Sequence, residues 1–135
     1  NVTIGESVRL RGYDLPSAAA SPGGTLALTL YWECLAPLET SYTVFVHLLG
    51  PDGKTYGQQD SVPWQGRLPT THWVAGEVIA DEYAVPVSQD APAGAYTLLV
   101  GMYDLQTGMR LAAVDSDGTP LADNSVLIGQ VTIHD

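Results

Sequence analysis

The side chains of this sequence that could do acid, base or metal chemistry are three histidines, one cysteine and fifteen acidic residues. They show no catalytic spacing, because the sequence lacks the serine motif of hydrolases, a glycine-rich phosphate loop and the spacing of zinc ligands. His47, His72 and His134 are far apart, although folding could bring His47 or His72 next to carboxylates in a cleft. An enzymatic function would need that convergence, and we expect the isolated domain not to be an enzyme.

One group of carboxylates lies in the segment EVIADEY, where strand alternation places Asp81 on the same face as Ile79 and Tyr83. A carboxylate on an apolar face must find hydrogen-bond donors, because leaving it unpaired is costly. We expect Asp81 to accept backbone or tryptophan N–H groups that hold the long segment 61–76. The alternative is that Asp81 binds a sugar.

A second group lies in the segment DSDGTPLADN, which places Asp115, Asp117 and Asp123 on one loop. Alternate oxygen ligands around a glycine resemble the start of a calcium-binding loop. The EF-hand interpretation fails, because Val126 stands where that motif needs a glutamate. We interpret the segment as a turn rich in aspartate and asparagine. An irregular calcium site at the three aspartates is the alternative, and we expect no other cofactor.

Composition argues against several classes of partner. Acidic residues outnumber basic ones by fifteen to five, and the basic residues are scattered. Because phosphate groups require clustered positive charge, we expect no binding to nucleic acid or to anionic membrane surfaces. No apolar run approaches the ~18–20 residues that span a bilayer, so we expect no membrane insertion by this segment. The single cysteine, Cys34, cannot form an intrachain disulfide, and we interpret it as structural.

Short runs of alternating apolar and polar residues, separated by Gly, Pro, Asn and Asp, recur along the whole chain. This pattern predicts an all-β fold, specifically an immunoglobulin-like, two-sheet antiparallel β-sandwich of about seven to eight strands in one domain covering 1–135. The predicted strands are residues 6–15, 25–34, 42–50, 55–60, 77–87, 95–104, 109–114 and 126–133.

The strands predicted at 42–50 and 95–104 are apolar on both faces, which is typical of strands that are covered on both sides. We therefore expect them to be neighbours in the middle of one sheet. Their outer surface would then carry an apolar and aromatic patch of Tyr31, Phe45, His47, Leu49, Leu99 and Tyr103.

Such a patch needs a cover. We expect the irregular segment 61–76 to provide it with Trp64 and Trp73, whereas a ligand or another protein domain is the alternative. Matching registers would place His47 beside Gly101, where a glycine leaves room for an imidazole or a ligand ring. The simpler interpretation is a histidine that is hydrogen-bonded beneath the long segment.

Five segments, in order, resemble a known kind of domain: LRGYDL, GGTLALTLYWECLAP, YTVFVHLLGPDG, PTTHWVAGEVIADEYAVPV and APAGAYTLLVGMYDLQTGMRL. They are similar to the extracytoplasmic C-terminal β-sandwich domain of bacterial, Chloroflexus-like membrane proteins, notably dolichyl-phosphate-mannose-type glycosyltransferases and related uncharacterised membrane proteins. The resemblance covers residues 8–133, and its most specific parts run from Trp73 to Asp81 and from Pro92 to Asp104.

The resemblance implies a domain on the extracytoplasmic side of a bacterial membrane, excised from a larger membrane protein that would be its partner. It implies no active-site residue here, because the catalytic residues of such transferases belong to their membrane portion.

Two functional hypotheses follow. The first is a non-catalytic accessory module that helps a glycosyltransferase-like parent to hold a glycan, since aromatic rings stack on sugars and carboxylates or histidines bond to hydroxyls. Its candidate ligand-binding residues are Tyr31, Phe45, His47, Trp64, Trp73, Asp81 and Tyr103. The second is a structural or docking domain whose apolar sheet face packs on the parent protein or on a second copy of itself.

Overall fold

The computed structural model describes residues 1–134, and these residues form two packed five-stranded β-sheets. In chain order the strands are β1 (Val2–Ile4), β2 (Val8–Asp14), β3 (Ala19–Ala20), β4 (Thr25–Cys34), β5 (Thr43–Leu49), β6 (Thr55–Ser61), β7 (Val78–Pro86), β8 (Gly94–Tyr103), β9 (Ala113–Val114) and β10 (Val126–Ile133). The first sheet has the order β7-β4-β2-β1-β9, and the second has the order β3-β10-β8-β5-β6. The predicted all-β sandwich is confirmed.

The strand count and the purely antiparallel pairing need correction. Residues 1–134 contain ten strands rather than seven to eight, because the short strands β1 and β3 were not predicted. Strand β3 pairs with β10 in parallel. The strand predicted at 109–114 is reduced to β9 and an isolated bridge at Arg110.

Alternation along β4 builds one wall of the core. Leu26, Leu28, Leu30 and Trp32 are all buried, whereas the intervening residues are more exposed, as the sequence pattern predicted. This wall packs against the second sheet, since facing sheets of a sandwich bury their apolar faces against each other.

Strands β5 and β8 are neighbours in the middle of the second sheet, as predicted. Val46 lies opposite Val100, and Leu48 lies opposite Leu98. All four side chains are fully buried on the inner face of this sheet. The pair therefore supplies the second wall of the core.

One side of the sandwich is closed by contacts between β6 and β7, which belong to different sheets. Gly57 and Val87 form a bridge, and the Gln59 Oε1 atom accepts a hydrogen bond of 2.9 Å from the Ala84 amide. A Cβ atom on Gly57 would lie 3.0 Å from the Pro86 carbonyl oxygen, so the close approach favours glycine.

The segment 61–76 does not cover the outer face of the second sheet, so that prediction is wrong. Trp73 is buried in the core, where its Nε1 donates to the Leu68 carbonyl oxygen at 3.1 Å. The Thr70 hydroxyl donates to the Thr40 carbonyl at 2.7 Å and accepts from the Tyr42 amide at 3.0 Å. The segment thus packs against the loop before β5. Its Trp73 side chain is buried inside the sandwich and is not available to cover the outer face.

Helical structure within residues 1–134 consists of two 3-10 helices, Thr70–His72 and Ala122–Asn124. Neither of them combines the length and the apolar character required to cross a membrane.

We expect Leu98→Ala to lower the free energy of unfolding by about 2–5 kcal/mol, because it leaves a cavity in the middle of the core. Leu105→Ala is the matched control, since Leu105 is 70% exposed and its truncation should change stability by less than about 0.5 kcal/mol. Urea unfolding followed by circular dichroism measures both. Equal losses in the two variants would contradict the central position of β8.

Candidate functional site

The outer face of β5, β6 and β8 carries a group of polar and aromatic side chains. Phe45 and His47 project from β5, and Asp60 lies opposite Phe45 on β6. Tyr103 ends β8, and Arg110 follows the turn after it. These five residues and Gly108 line a hollow of about 210 Å³, which we call the Phe45 cleft.

The register between β5 and β8 places Phe45, and not His47, opposite Gly101. A Cβ atom at Gly101 would lie 2.5 Å from the Phe45 ring and 3.1 Å from the Asn124 carbonyl oxygen. The glycine therefore provides room for a ring, as predicted, but the ring is that of Phe45. His47 lies opposite Leu99, which corrects the predicted neighbour.

Arg110 covers the Phe45 ring. Its guanidinium carbon lies 4.1 Å from the ring centroid, and its Nη1 atom donates to the Asp123 carbonyl oxygen at 2.9 Å. A cation over an aromatic face is attracted by the ring quadrupole. Because Phe45 is only 1% exposed, it forms the floor beneath Arg110 and cannot itself stack on a sugar in this arrangement.

Asp60 connects two other side chains of the cleft. Its Oδ2 atom accepts the Tyr103 hydroxyl at 3.0 Å, and its Oδ1 atom lies 3.4 Å from His47 Nε2. The Nε2 atom is shielded from solvent and has no hydrogen-bond partner within residues 1–134. Burial lowers the pKa of His47, Asp60 opposes this effect and Arg110 adds to it. The net effect is a pKa of His47 below that of an ordinary histidine.

A wider hollow of about 670 Å³ adjoins the Phe45 cleft and shares Phe45, His47 and Arg110 with it. Its other lining residues are Leu49, Thr55, Leu99, Asp123, Asn124 and Ser125. The Ser125 hydroxyl donates to the Ala122 carbonyl oxygen at 3.1 Å, so it is turned to the backbone. The two hollows together offer hydrogen-bonding groups beside the apolar side chains of Leu49 and Leu99.

A hollow of about 720 Å³ lies elsewhere, between β1 and the loop after β9, and its lining includes no aromatic ring. Its arginine, Arg9, is paired with Glu33 at 3.2 Å. It therefore lacks the aromatic floor that Phe45 gives to the Phe45 cleft.

Of the predicted ligand-binding residues, the structure brings Phe45, His47 and Tyr103 together. Tyr31 belongs to β4 in the opposite sheet, where its hydroxyl donates to Asp14, so its predicted place in the patch is wrong. Trp64 is half exposed on the segment 61–76, and Trp73 is buried in the core. Neither tryptophan lines the Phe45 cleft.

Asp81 is fully buried on the inner face of β7 and is held by three donors. It accepts the Trp32 indole N–H at 3.1 Å, the Tyr83 hydroxyl at 2.6 Å and the Trp64 amide at 2.8 Å. The prediction that it holds the long segment through tryptophan and backbone N–H groups is confirmed. A ligand on the outer face cannot reach it. Burial raises the pKa of Asp81, and the three hydrogen bonds oppose this effect.

The proposed calcium ligands do not converge. The Asp115 carboxylate accepts hydrogen bonds from the amides of Asp117 and Thr119, as the interpretation of this segment as a turn predicted. Asp123 lies in the second 3-10 helix and lines the hollow beside Arg110. Within residues 1–134, no group of three or more histidine, cysteine or acidic residues is placed to hold a metal ion.

Sequence reasoning missed Asp60 and Arg110. Asp60 could have been found by pairing 55–60 with 42–50 across the PDGK turn, since this register sets it opposite Phe45. Arg110 gave no such signal, because it follows a turn and is positioned by contacts with Phe45 and Asp123 that are distant in sequence.

Comparisons with known proteins support the fold. No protein-family model matches this sequence, and no curated protein matches it. The structure is similar to the C-terminal domain of Wzt, with a TM-score of 0.64 and 14% sequence identity over 100% of this chain and 78% of that chain. A CaDoc0917–CaCohA2 complex aligns with a TM-score of 0.39 and 13% identity over 95% of this chain and 100% of that chain, which is too low to carry an argument. At these identities the similarity to the Wzt domain shows the sandwich fold alone.

We expect Gly101→Ala to destabilise the fold by about 1–3 kcal/mol, because the new methyl group collides with the Phe45 ring. Gly12→Ala is the control, since a Cβ atom there meets nothing within 4 Å. Thermal unfolding and the methyl and aromatic NMR signals around Phe45 measure the effect. Unchanged stability and unchanged Phe45 signals in Gly101→Ala would contradict the close approach.

We expect Asp81→Ala to lower the free energy of unfolding by about 3 kcal/mol, since it leaves two buried donors and the part-buried Trp64 amide without their acceptor. The pKa of Asp81 is raised on folding, so the folded state binds the proton more tightly than the unfolded state. The stabilisation from this linkage is fully present below the unfolded pKa and is lost as pH rises through the folded pKa.

The loss caused by Asp81→Ala should therefore be larger near about pH 4 than near about pH 7. Urea unfolding at both pH values tests this, with Glu82→Ala as the control because Glu82 points outward from the same strand. A loss that grew with increasing pH would contradict the raised pKa.

Proposed function

We propose that this chain is a non-catalytic accessory β-sandwich module that binds a glycan at the Phe45 cleft and the adjoining hollow. The observation that carries the proposal is the convergence of His47, Asp60, Tyr103 and Arg110 around an open hollow on the outer sheet face. Each of these side chains can hydrogen-bond to a hydroxyl group, and a few convergent polar groups beside apolar surface are typical of small-ligand sites.

The contacts of the cleft suit a sugar. Within residues 1–134, Arg110 donates one hydrogen bond, to the Asp123 carbonyl oxygen. A guanidinium has five N–H donors, so further donors remain for ring hydroxyls. Asp60 keeps acceptor capacity on Oδ1 beside the bond from Tyr103. Leu49 and Leu99 add the apolar surface on which the C–H face of a sugar ring can pack. Phe45 acts as a positioning residue, because it supports Arg110 from below.

The same geometry favours binding over catalysis. His47 and Asp60 do come together, which is the convergence that an enzymatic function would need. Covalent hydrolysis would also require a nucleophile beside the histidine. The serine that lines the wider hollow, Ser125, is turned to a backbone carbonyl, and Cys34 is buried in the core. We therefore propose a binding module.

The sequence resemblance supports a place for this module within a larger membrane protein, on the extracytoplasmic side of a bacterial membrane. The parent would be a glycosyltransferase-like protein that uses the module to hold or orient a glycan. This part of the proposal rests on the segments from Trp73 to Asp81 and from Pro92 to Asp104.

The alternative is a docking domain. Exposed apolar side chains favour it, since Leu105 and Met109 in the turn after β8 are each 70% exposed. They lie outside the sheet face that the docking hypothesis needs, and that face is interrupted by Asp60 and Arg110. Charged residues are depleted at the centres of protein interfaces, so the glycan proposal fits this face better.

The test is a titration of ¹⁵N-labelled protein with methyl glycosides and bacterial oligosaccharides at millimolar concentration, read from amide shifts on β5, β6 and β8. We expect Tyr103→Phe and Arg110→Gln to weaken binding by about threefold to tenfold, because each removes a hydrogen bond from the cleft.

The matched controls are Tyr31→Phe, which removes a hydroxyl on the opposite sheet, and Arg67→Gln, which removes an exposed charge from the segment 61–76. Both should bind like the original protein. The absence of glycan-induced shifts on the three strands, or equal losses in variants and controls, would overturn the glycan proposal.

A further inference from the structure

Arg110 differs from the other basic residues of the chain. Arg11, Lys54 and Arg67 are exposed to solvent, and the half-buried Arg9 is paired with Glu33. Arg110 is half-buried as well, but no carboxylate within residues 1–134 forms an ion pair with it. This is unexpected in a chain with fifteen acidic residues and five basic ones. The Phe45 ring attracts the cation but leaves its charge in place.

One edge of the Arg110 guanidinium is available to a ligand. Its Nη1 atom donates to the Asp123 carbonyl oxygen at 2.9 Å, whereas Nε and Nη2 make no hydrogen bond within residues 1–134. Among the side chains of this range that are not exposed, His47 Nε2 is the one polar atom that is shielded from solvent and lacks a partner. The Nε and Nη2 atoms of Arg110 therefore keep contact with solvent. Together they form a fork that matches the two oxygens of a carboxylate.

We infer that this edge of Arg110 binds the carboxylate group of an acidic sugar, so that the hollows on the outer sheet face select uronic acids over neutral sugars. This inference rests on the proposed glycan-binding function and specifies the class of glycan. A carboxylate fits better than a phosphate group, because one guanidinium balances one negative charge, and a phosphate group carries about 1.5–2 negative charges at neutral pH.

The backbone holds Arg110 in place before any ligand binds. The turn after β8 returns the chain so that Arg110 forms a bridge with Tyr103. The carbonyl oxygen that accepts from Nη1 belongs to Asp123, and both Asp123 and Asn124 have a left-handed backbone, with φ of 56° and 49°. This conformation is uncommon outside glycine, although aspartate and asparagine tolerate it. The guanidinium thus loses little freedom on binding, which favours affinity.

A carboxylate meets the least repulsion on the side of the wider hollow. Asp60 lines the Phe45 cleft but not the wider hollow, and Arg110 lines both. Asp123 is exposed, so solvent and salt screen its side-chain charge. Thr55 and Asn124 supply uncharged polar groups there. The net charge of −10 acts over longer distances, and salt at about 0.15 M screens it beyond roughly 8 Å.

The experiment compares methyl glycosides of glucuronic, galacturonic and mannuronic acid with those of glucose, galactose and mannose, by amide shifts of ¹⁵N-labelled protein at about 0.15 M salt. We expect the best acid to bind about tenfold more tightly than its neutral counterpart, because it adds a bidentate charged contact. In the unmodified protein, the Arg110 Nε–H signal should shift further on saturation with that acid than with the neutral sugar.

Three variants test the role of the guanidinium. Arg110→Gln should reduce the preference to about twofold or less, since it removes both the charge and the fork. Arg110→Lys should retain a preference of only about threefold, since it keeps the charge as a point without the fork. Arg67→Gln is the matched control, because it removes an exposed charge from the segment 61–76 and should leave the preference unchanged.

Two further ligands test the chemistry of the occupant. Sodium acetate should bind at least about tenfold more weakly than the best uronic acid, because it lacks the ring that packs on Leu49 and Leu99. The 6-phosphate of the matching neutral glycoside should bind more weakly than the uronic acid, because its larger charge faces a single cation. Acetate that binds as tightly as the acid, or a phosphate that binds more tightly, would overturn the inference.

The remaining outcomes separate this inference from the proposed function. If no sugar shifts the amides of β5, β6 and β8, the glycan function and the inference fall together. If neutral sugars bind there as tightly as the acids, or the Arg110 Nε–H signal shifts equally with both, the carboxylate site is wrong and the glycan function stands. The same conclusion follows if Arg110→Gln keeps the full preference for acids.

Discussion

The pairing of β5 with β8 is the constraint on which both the core and the cleft depend. These strands are apolar on both faces, so they are stable only in the middle of a sheet with cover on each side. On the inner side the cover is the opposite sheet. On the outer side it is Arg110 above Phe45, with the Asn124 carbonyl oxygen near Gly101. The register between β5 and β8 therefore sets both which side chains enter the core and the position of Phe45 at the floor of the cleft.

Apolar side chains cover the inner face of this strand pair, whereas polar groups lie on its outer face. The inner face therefore stabilises the fold, and the outer face is the one that could bind a ligand. The inner face is closed by side chains such as Val46 and Leu98, which leave no room for a ligand. The outer face is covered by Arg110 and the backbone at Asn124, while the side chains of His47 and Asp60 line an open hollow. Asp81 shows the opposite case, because all its donors come from the chain itself and it only fastens the segment 61–76.

The sequence carried enough information to predict the sandwich, the inner face of β4 and the central position of β5 and β8, because alternation records which face of a strand is buried. It could not set the relative register of two strands, and an error of two residues placed His47 in the position of Phe45 opposite Gly101. Tyr31 was assigned to the wrong sheet, since periodicity within a strand does not say which strands are its neighbours. Short strands such as β3 have no periodicity at all, because they arise from pairing with a longer strand. Arg110 was missed because a loop residue is positioned by its tertiary contacts.

The edges of the two sheets have a bearing on self-association. Two outermost strands, β3 and β9, are only two residues long, and the other two, β6 and β7, approach each other at Gly57 and Val87. Long bare edges act as templates onto which a strand of another molecule can be added, which is the usual route to fibrillar aggregates. In residues 1–134 two edges are very short, and the other two face each other and share a bridge, so neither presents its whole length to another molecule. Crowded copies of this chain thus have little backbone with which to extend one another's sheets.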